Sequence, residues 1–125
     1  MRNALKWLAA LTGLVCIVIG LVHVVAGVGA APGAGDVSAT VQSEDHFFGA
    51  IFAGYGLAWL WGSQQDRLPV MLFRFLAALM ALGGLGRVIA MATEGQPHAL
   101  FVGLTVVEFV LPAIVFWLAT TTERS

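Results

Sequence analysis

The sequence predicts an all-α integral membrane protein, a four-helix bundle with both ends in the cytoplasm. Three observations predict it: long apolar segments, no two-residue alternation of the kind a barrel strand shows, and basic residues confined to one side of the segments. Hydrophobic residues make up 59% of the 125 and charged ones 10%, and the mean hydropathy is +0.91, above the range of a soluble domain. A helix crosses roughly 30 Å of hydrocarbon with about 20 apolar residues and pairs its own amides, whereas an open sheet edge in lipid leaves them unpaired.

The first span, about Leu5 to Val28, follows Arg2 and Lys6 and superficially resembles a secretory signal. Its apolar run exceeds the roughly 7–15 residues of a signal core, so it reads as an uncleaved span. Gly13, Gly20 and Gly27 recur two helical turns apart and share a face that admits another backbone. Cys16 has no second cysteine for a disulfide or a thiolate metal site and reads as a small packing or lipid-facing residue. The connection from Gly29 to Glu44, rich in Gly, Ala, Pro and Ser, is too short for a domain and reads as lying on the outer membrane face.

The second span, about Phe47 to Gly62, is the shortest. Ser43 reads as its N-cap, and Glu44 and Asp45 suit the positive end of its dipole. Gly49 with Ala53, and Ala50 with Gly54, again place small residues one turn apart. The third span, about Val70 to Thr93, carries Gly83, Gly84 and Gly86, and the fourth runs from about Ala99 to Thr120. The short connections Ser63 to Pro69 and Glu94 to His98 make neighbouring helices antiparallel. Trp7, Trp59, Trp61 and Trp117 fall near the cytoplasmic ends, as an interfacial aromatic belt does.

Arg2, Lys6, Arg67, Arg74 and Arg124 all lie on one side of this arrangement, and Asp36, Glu44, Asp45 and Glu94 on the other. Basic residues near span ends favour the cytoplasm, so the predicted topology is N-in, C-in. Six basic against seven acidic residues give a net charge of -1, which leaves no basic stripe for nucleic acid.

Two charges fall deep inside spans, Arg87 on the third and Glu108 on the fourth. Both lie equally far from Pro97 and His98 in the connecting turn, so an antiparallel hairpin brings them to one depth. A lone charge near the bilayer centre costs roughly 2.5–3.5 kcal/mol, which makes an Arg87–Glu108 ion pair the expected outcome. Pro112 has no N–H to donate to the Glu108 carbonyl, and Thr105 adds a hydroxyl one turn earlier. His23, Asp45 and His46 belong to the same outer half, and Tyr55 sits mid-span. Together Arg87, Glu108, His23, His46, Asp45, Thr105 and Tyr55 are the candidate ligand-binding residues of an outward-opening pocket, with the inner half apolar apart from Arg74. The plainer readings are a register-fixing pair for Arg87 and Glu108, a hydrogen-bonded neutral imidazole for His23, interfacial placement for Asp45 and His46, packing for Tyr55, and snorkelling of Arg74 to the headgroups. Two histidines and a carboxylate lack the helical i, i+4 spacing of a metal site, so no metal and no cofactor is expected. No catalytic constellation, phosphate loop or cysteine pair appears.

The run Phe47-Phe48-Gly49 followed by Gly54 and Gly56, then Arg74, Gly83-Gly84-Leu85-Gly86-Arg87, Gly95 with Pro97, and Glu108 with Pro112, resembles the DUF4345 family of small bacterial membrane proteins. The resemblance covers about Asp45 to Trp117 and rests on ordered glycines and the two buried charges. It implies a four-helix, multi-pass protein of the bacterial cytoplasmic (inner) membrane with no assigned activity. The position of Asp45 in that family often looks like asparagine or glutamate.

Three functions compete on these residues. The first is a binding or carrier module for a lipid-like or small polar ligand. The second is an accessory subunit whose glycine faces pack against a larger membrane protein or a second copy of the chain. The third is a membrane-embedded enzyme using Glu108 or His23.

Overall fold

The computed structural model describes residues 1–124. Among them the chain is all-α, as the sequence predicts: α1 spans Arg2–Ala26, α2 Ala39–Ser63, α3 Val70–Glu94 and α4 Ala99–Arg124, with a 3-10 turn at Gly27–Ala30. Three of these segments, Arg2–Ala30, Val70–Glu94 and Ala99–Arg124, are long and apolar enough to cross a membrane. The α2 helix does not reach that threshold, although it has 25 residues. Its sequence is diluted by Gly49, Gly54 and Gly56 and by the weakly hydropathic rings of Tyr55, Trp59 and Trp61, and its first turns are polar.

The start of α2 corrects the sequence reading. Ser38, not Ser43, caps the helix, and its side chain accepts a hydrogen bond from the Val41 amide at 3.3 Å. Helix therefore begins about two turns earlier than the apolar run indicates, and Ser43, Glu44 and Asp45 lie within it, away from the dipole's positive end. Hydrophobicity marked where the apolar face begins; the cap sits where a hydroxyl meets extended backbone. Ser38→Ala is expected to cost about 1 kcal/mol, read as faster amide hydrogen exchange at residues 39–42.

The chain divides into two compact units, one of Trp7–Gln65 and one of Met1–Lys6 with the chain from Asp66 onward. In the first, α1 and α2 run antiparallel with their backbones touching. A Cβ built on Gly13 falls 2.7 Å from the Gly56 carbonyl oxygen, and one on Gly20 falls 2.5 Å from both the Ala53 nitrogen and the Gly49 oxygen. Gly56 reciprocates, 2.6 Å from the Gly13 oxygen. These pairs, with Gly27 against Gln42, lie equally far from the centre of the connection, so one register holds along the interface. In lipid such backbone contact replaces the hydrophobic drive that water supplies. Cys16 is buried in this seam, its Cβ lying 2.9 Å from the side-chain position of Gly56. Trp59 is fully buried, unlike Trp7, Trp61 and Trp117, so the interfacial-belt reading does not hold for that ring. Tyr55 stacks on Phe52 at 5.8 Å and meets the edge of Trp59 at 6.3 Å.

In the second unit, α3 and α4 form a hairpin. Gly95 ends α3 with φ of 97°, a conformation open to glycine at little cost. The His98 ring then accepts from the Leu100 amide through Nδ1 at 3.1 Å, which starts α4. Phe73, Leu76, Ala77, Val115, Leu118 and Ala119 are buried in the half distant from this turn. There Arg74 reaches the Glu123 carboxylate and donates to the Thr120 hydroxyl at 3.2 Å, so its charge is met by protein rather than by headgroups alone. Arg2 donates to the Asp66 carbonyl at 2.6 Å.

Candidate functional site

The hairpin register sets Arg87 opposite Glu108. The Arg87 Nε donates to Glu108 Oε1 at 2.7 Å, and the guanidinium lies over the Phe101 ring, 5.6 Å from its centroid. Room for the carboxylate comes from α3. A Cβ on Gly84 meets the Glu108 Cβ at 3.1 Å and the Phe109 ring at 3.2 Å, and one on Gly83 stands 4.0 Å from Glu108 Oε2. Two adjacent glycines thus form a step on which the glutamate sits. The pair is lopsided: the Glu108 side chain is 16% exposed and that of Arg87 40%. Among the described residues no hydrogen bond engages the two terminal nitrogens of Arg87, so one edge of the guanidinium is held by Glu108 and the other is available.

Arg87 also lines a pocket of about 310 Å³ at the turn end of the hairpin. Arg87, Ala90, Met91 and Glu94 of α3 line it, with Gly95, Gln96 and Pro97 of the turn and Phe101 of α4. Apolar surface dominates the lining, with a cation at one position and a carboxylate two helical turns further along the same helix. An apolar cavity with a few convergent polar groups is the usual form of a small-molecule site.

The other sequence candidates are not among the residues lining this pocket. Thr105 is buried and its hydroxyl donates to the Phe101 carbonyl at 2.8 Å, so it serves α4. His23, Asp45 and His46 form a second cluster, between α1 and α2. His23 Nδ1 pairs with Asp45 Oδ2 at 2.7 Å, and His46 Nδ1 donates to the Val24 carbonyl at 2.5 Å. Against an ionised carboxylate, His23 must carry its proton on Nδ1. Gly49 allows this approach, since a Cβ there would stand 2.8 Å from the His23 Cβ. Gln42 completes the junction by accepting from the Val28 amide at 3.1 Å, beside Gly27 with φ of 61°. Every polar group named in this cluster closes the end of the α1–α2 seam. Tyr55 stands among aromatic rings and lines neither feature. Among the described residues no group of three His, Cys, Asp or Glu side chains is placed to hold a metal ion.

Met91, Glu94, Gln96 and Phe101 were absent from the sequence candidates. Two signals point to Glu94 and Phe101. Arg87 and Glu94 are seven residues apart, on one helix face, and Phe101 is as far beyond the turn centre as Glu94 is before it.

A family model described as a domain of unknown function, DUF4345, matches residues 4–119 of the chain. No curated protein and no solved structure matches it.

Proposed function

The chain belongs to the DUF4345 family, and from its own geometry we propose that it is a multi-pass protein of the bacterial cytoplasmic membrane that binds a small lipid-like or polar ligand in the pocket beside Arg87. The observation that carries this reading is the half-engaged guanidinium: Glu108 and Phe101 hold it in place, and Arg87 lines a mostly apolar cavity of about 310 Å³. Intramembrane charge is costly, and a chain that needs only structural glue has no use for an exposed edge. A neutralised but accessible cation suits an anionic or hydrogen-bond-accepting head with an apolar body against Met91, Pro97 and Phe101.

The topology that accompanies this reading has both termini in the cytoplasm. Four crossings support it. The α2 helix is about 37 Å long at 1.5 Å per residue, and its close backbone contacts with α1 between Gly49 and Gly56 support its crossing beside α1. The charge asymmetry supports an outer-face position for the Glu94–Pro97 turn and the pocket.

An accessory role has its own support in Gly54, Gly86 and Gly103, where an added Cβ meets nothing within 4 Å. Such bare positions suit a second copy or a partner helix, and stoichiometric co-purification of another membrane protein would favour that role. An enzymatic role through Glu108 has less support, because its carboxylate is committed to Arg87.

The test is native mass spectrometry of the detergent-purified protein with Arg87→Gln beside it. The expected result is a co-purifying small molecule on the wild type and at least about a tenfold loss of occupancy in the variant, the scale of one charge-assisted contact. Equal occupancy in a folded variant would overturn the pocket reading.

A further inference from the structure

Resting on that reading, we infer that the ligand of the α3–α4 pocket is zwitterionic: a phosphate or carboxylate taken by the Arg87 guanidinium, with a primary ammonium a few atoms away taken by Glu94. Both residues line the same cavity. They are seven residues apart on α3, which is about 10.5 Å of axial rise and nearly a whole number of turns, so both charges stand on one face. Glu108 already neutralises part of the guanidinium's charge, and among the described residues no basic side chain is paired with Glu94. A purely anionic ligand would meet Arg87 but bring its charge towards the Glu94 carboxylate. A purely cationic one would meet Glu94 and leave the remaining donors of Arg87 without an acceptor. An ammonium joined to an anionic group by a short spacer satisfies both, and Gln96 at the turn adds a neutral donor and acceptor to the lining. Met91, Pro97 and Phe101 then contact the apolar remainder.

Phosphoethanolamine chemistry fits this pattern, either as a lipid headgroup or as a free small molecule. The two sources differ in whether the apolar lining is used. The test measures binding of three probes to the full chain in a maltoside detergent: dihexanoyl phosphatidylethanolamine, dihexanoyl phosphatidylglycerol and soluble phosphoethanolamine, each to the wild type and to Glu94→Gln. Glu94 is exposed and unpaired in the structure, so this substitution leaves the fold intact, which circular dichroism checks. The wild type is expected to favour the ethanolamine lipid over the glycerol lipid by about tenfold, and Glu94→Gln to abolish that preference. Binding of soluble phosphoethanolamine with the same sensitivity to Glu94→Gln identifies the free molecule as sufficient; binding of the lipid alone identifies the headgroup with its chains. Equal or tighter binding of the glycerol lipid by the wild type overturns the zwitterion inference while leaving the pocket standing. No binding of any of the probes overturns the inference, and the co-purification result with Arg87→Gln then decides the pocket separately.

Discussion

Gly20→Leu is expected to separate α1 from α2 and to destabilise the protein by more than the about 1–3 kcal/mol typical of an overpacked core. The reason lies in what the new side chain would meet. At Gly20 the nearest atoms to an added Cβ are the Ala53 nitrogen and Gly49 oxygen at 2.5 Å and the Ala53 Cα at 2.8 Å, all of them backbone. Backbone cannot rotate aside as a side chain does, so the helices must part, and parting them gives up the contacts of Gly13, Gly49 and Gly56 as well. The His23–Asp45 bond at the end of the same seam is lost with them. Gly54→Leu on α2 is the matched control, because nothing lies within 4 Å of a Cβ there. Unfolding in mixed micelles, followed by tryptophan fluorescence, should show a large loss of stability for Gly20→Leu and little change for Gly54→Leu. Equal effects of the two would remove the glycine seam as the basis of the α1–α2 unit.

The second large effect is expected at Glu108. Replacing it with alanine leaves the Arg87 guanidinium without its carboxylate at a depth where an unpaired charge costs roughly 2.5–3.5 kcal/mol. It also empties the step formed by Gly83 and Gly84. Because the Arg87 side chain is 40% exposed, the open pocket lets it recover some solvation, and a loss of about 2 kcal/mol is expected. Arg87→Ala should cost somewhat more, since the Glu108 side chain it strands, 16% exposed, is the better shielded of the two. The double substitution removes both charges and should fall short of the sum of the single losses by about 1–2 kcal/mol. That shortfall, measured in a double-mutant cycle, is the coupling of the pair. Strict additivity would mean that the two groups do not sense one another in the membrane.

How far the site could be read in advance differs between the two units for a physical reason. The depth of Arg87 and Glu108 follows from their distances to a short turn, because in a hairpin of two unbroken helices sequence distance and depth are the same quantity. Most of the lining of the pocket beside them is not legible in the sequence because its rim is built where α3 ends, at Glu94, Gly95, Gln96 and Pro97, and cavities there depend on how the turn closes. The partnership of His23 with Asp45 was hidden by the misplaced start of α2. With Ser43 as cap, Asp45 appeared to serve the helix dipole; with Ser38 as cap, it is a mid-helix side chain pointed at α1. Arg74 shows the same limit, since Glu123 and Thr120 come within reach only when α4 continues beyond its apolar stretch.

By itself the sequence determined the helical class, the apolar length of three helices, the repetition of glycine on α1, and the common level of Arg87 and Glu108 along the α3–α4 hairpin. Each of these is a local or one-dimensional property, set by composition, pitch and distance from a turn. Only the tertiary structure decided which glycines touch a neighbour and which stay bare, where α2 begins, and which edge of Arg87 is left open. Those depend on the rotation of each helix about its own axis, which is fixed by backbone contacts between residues far apart in the chain and by no single segment alone.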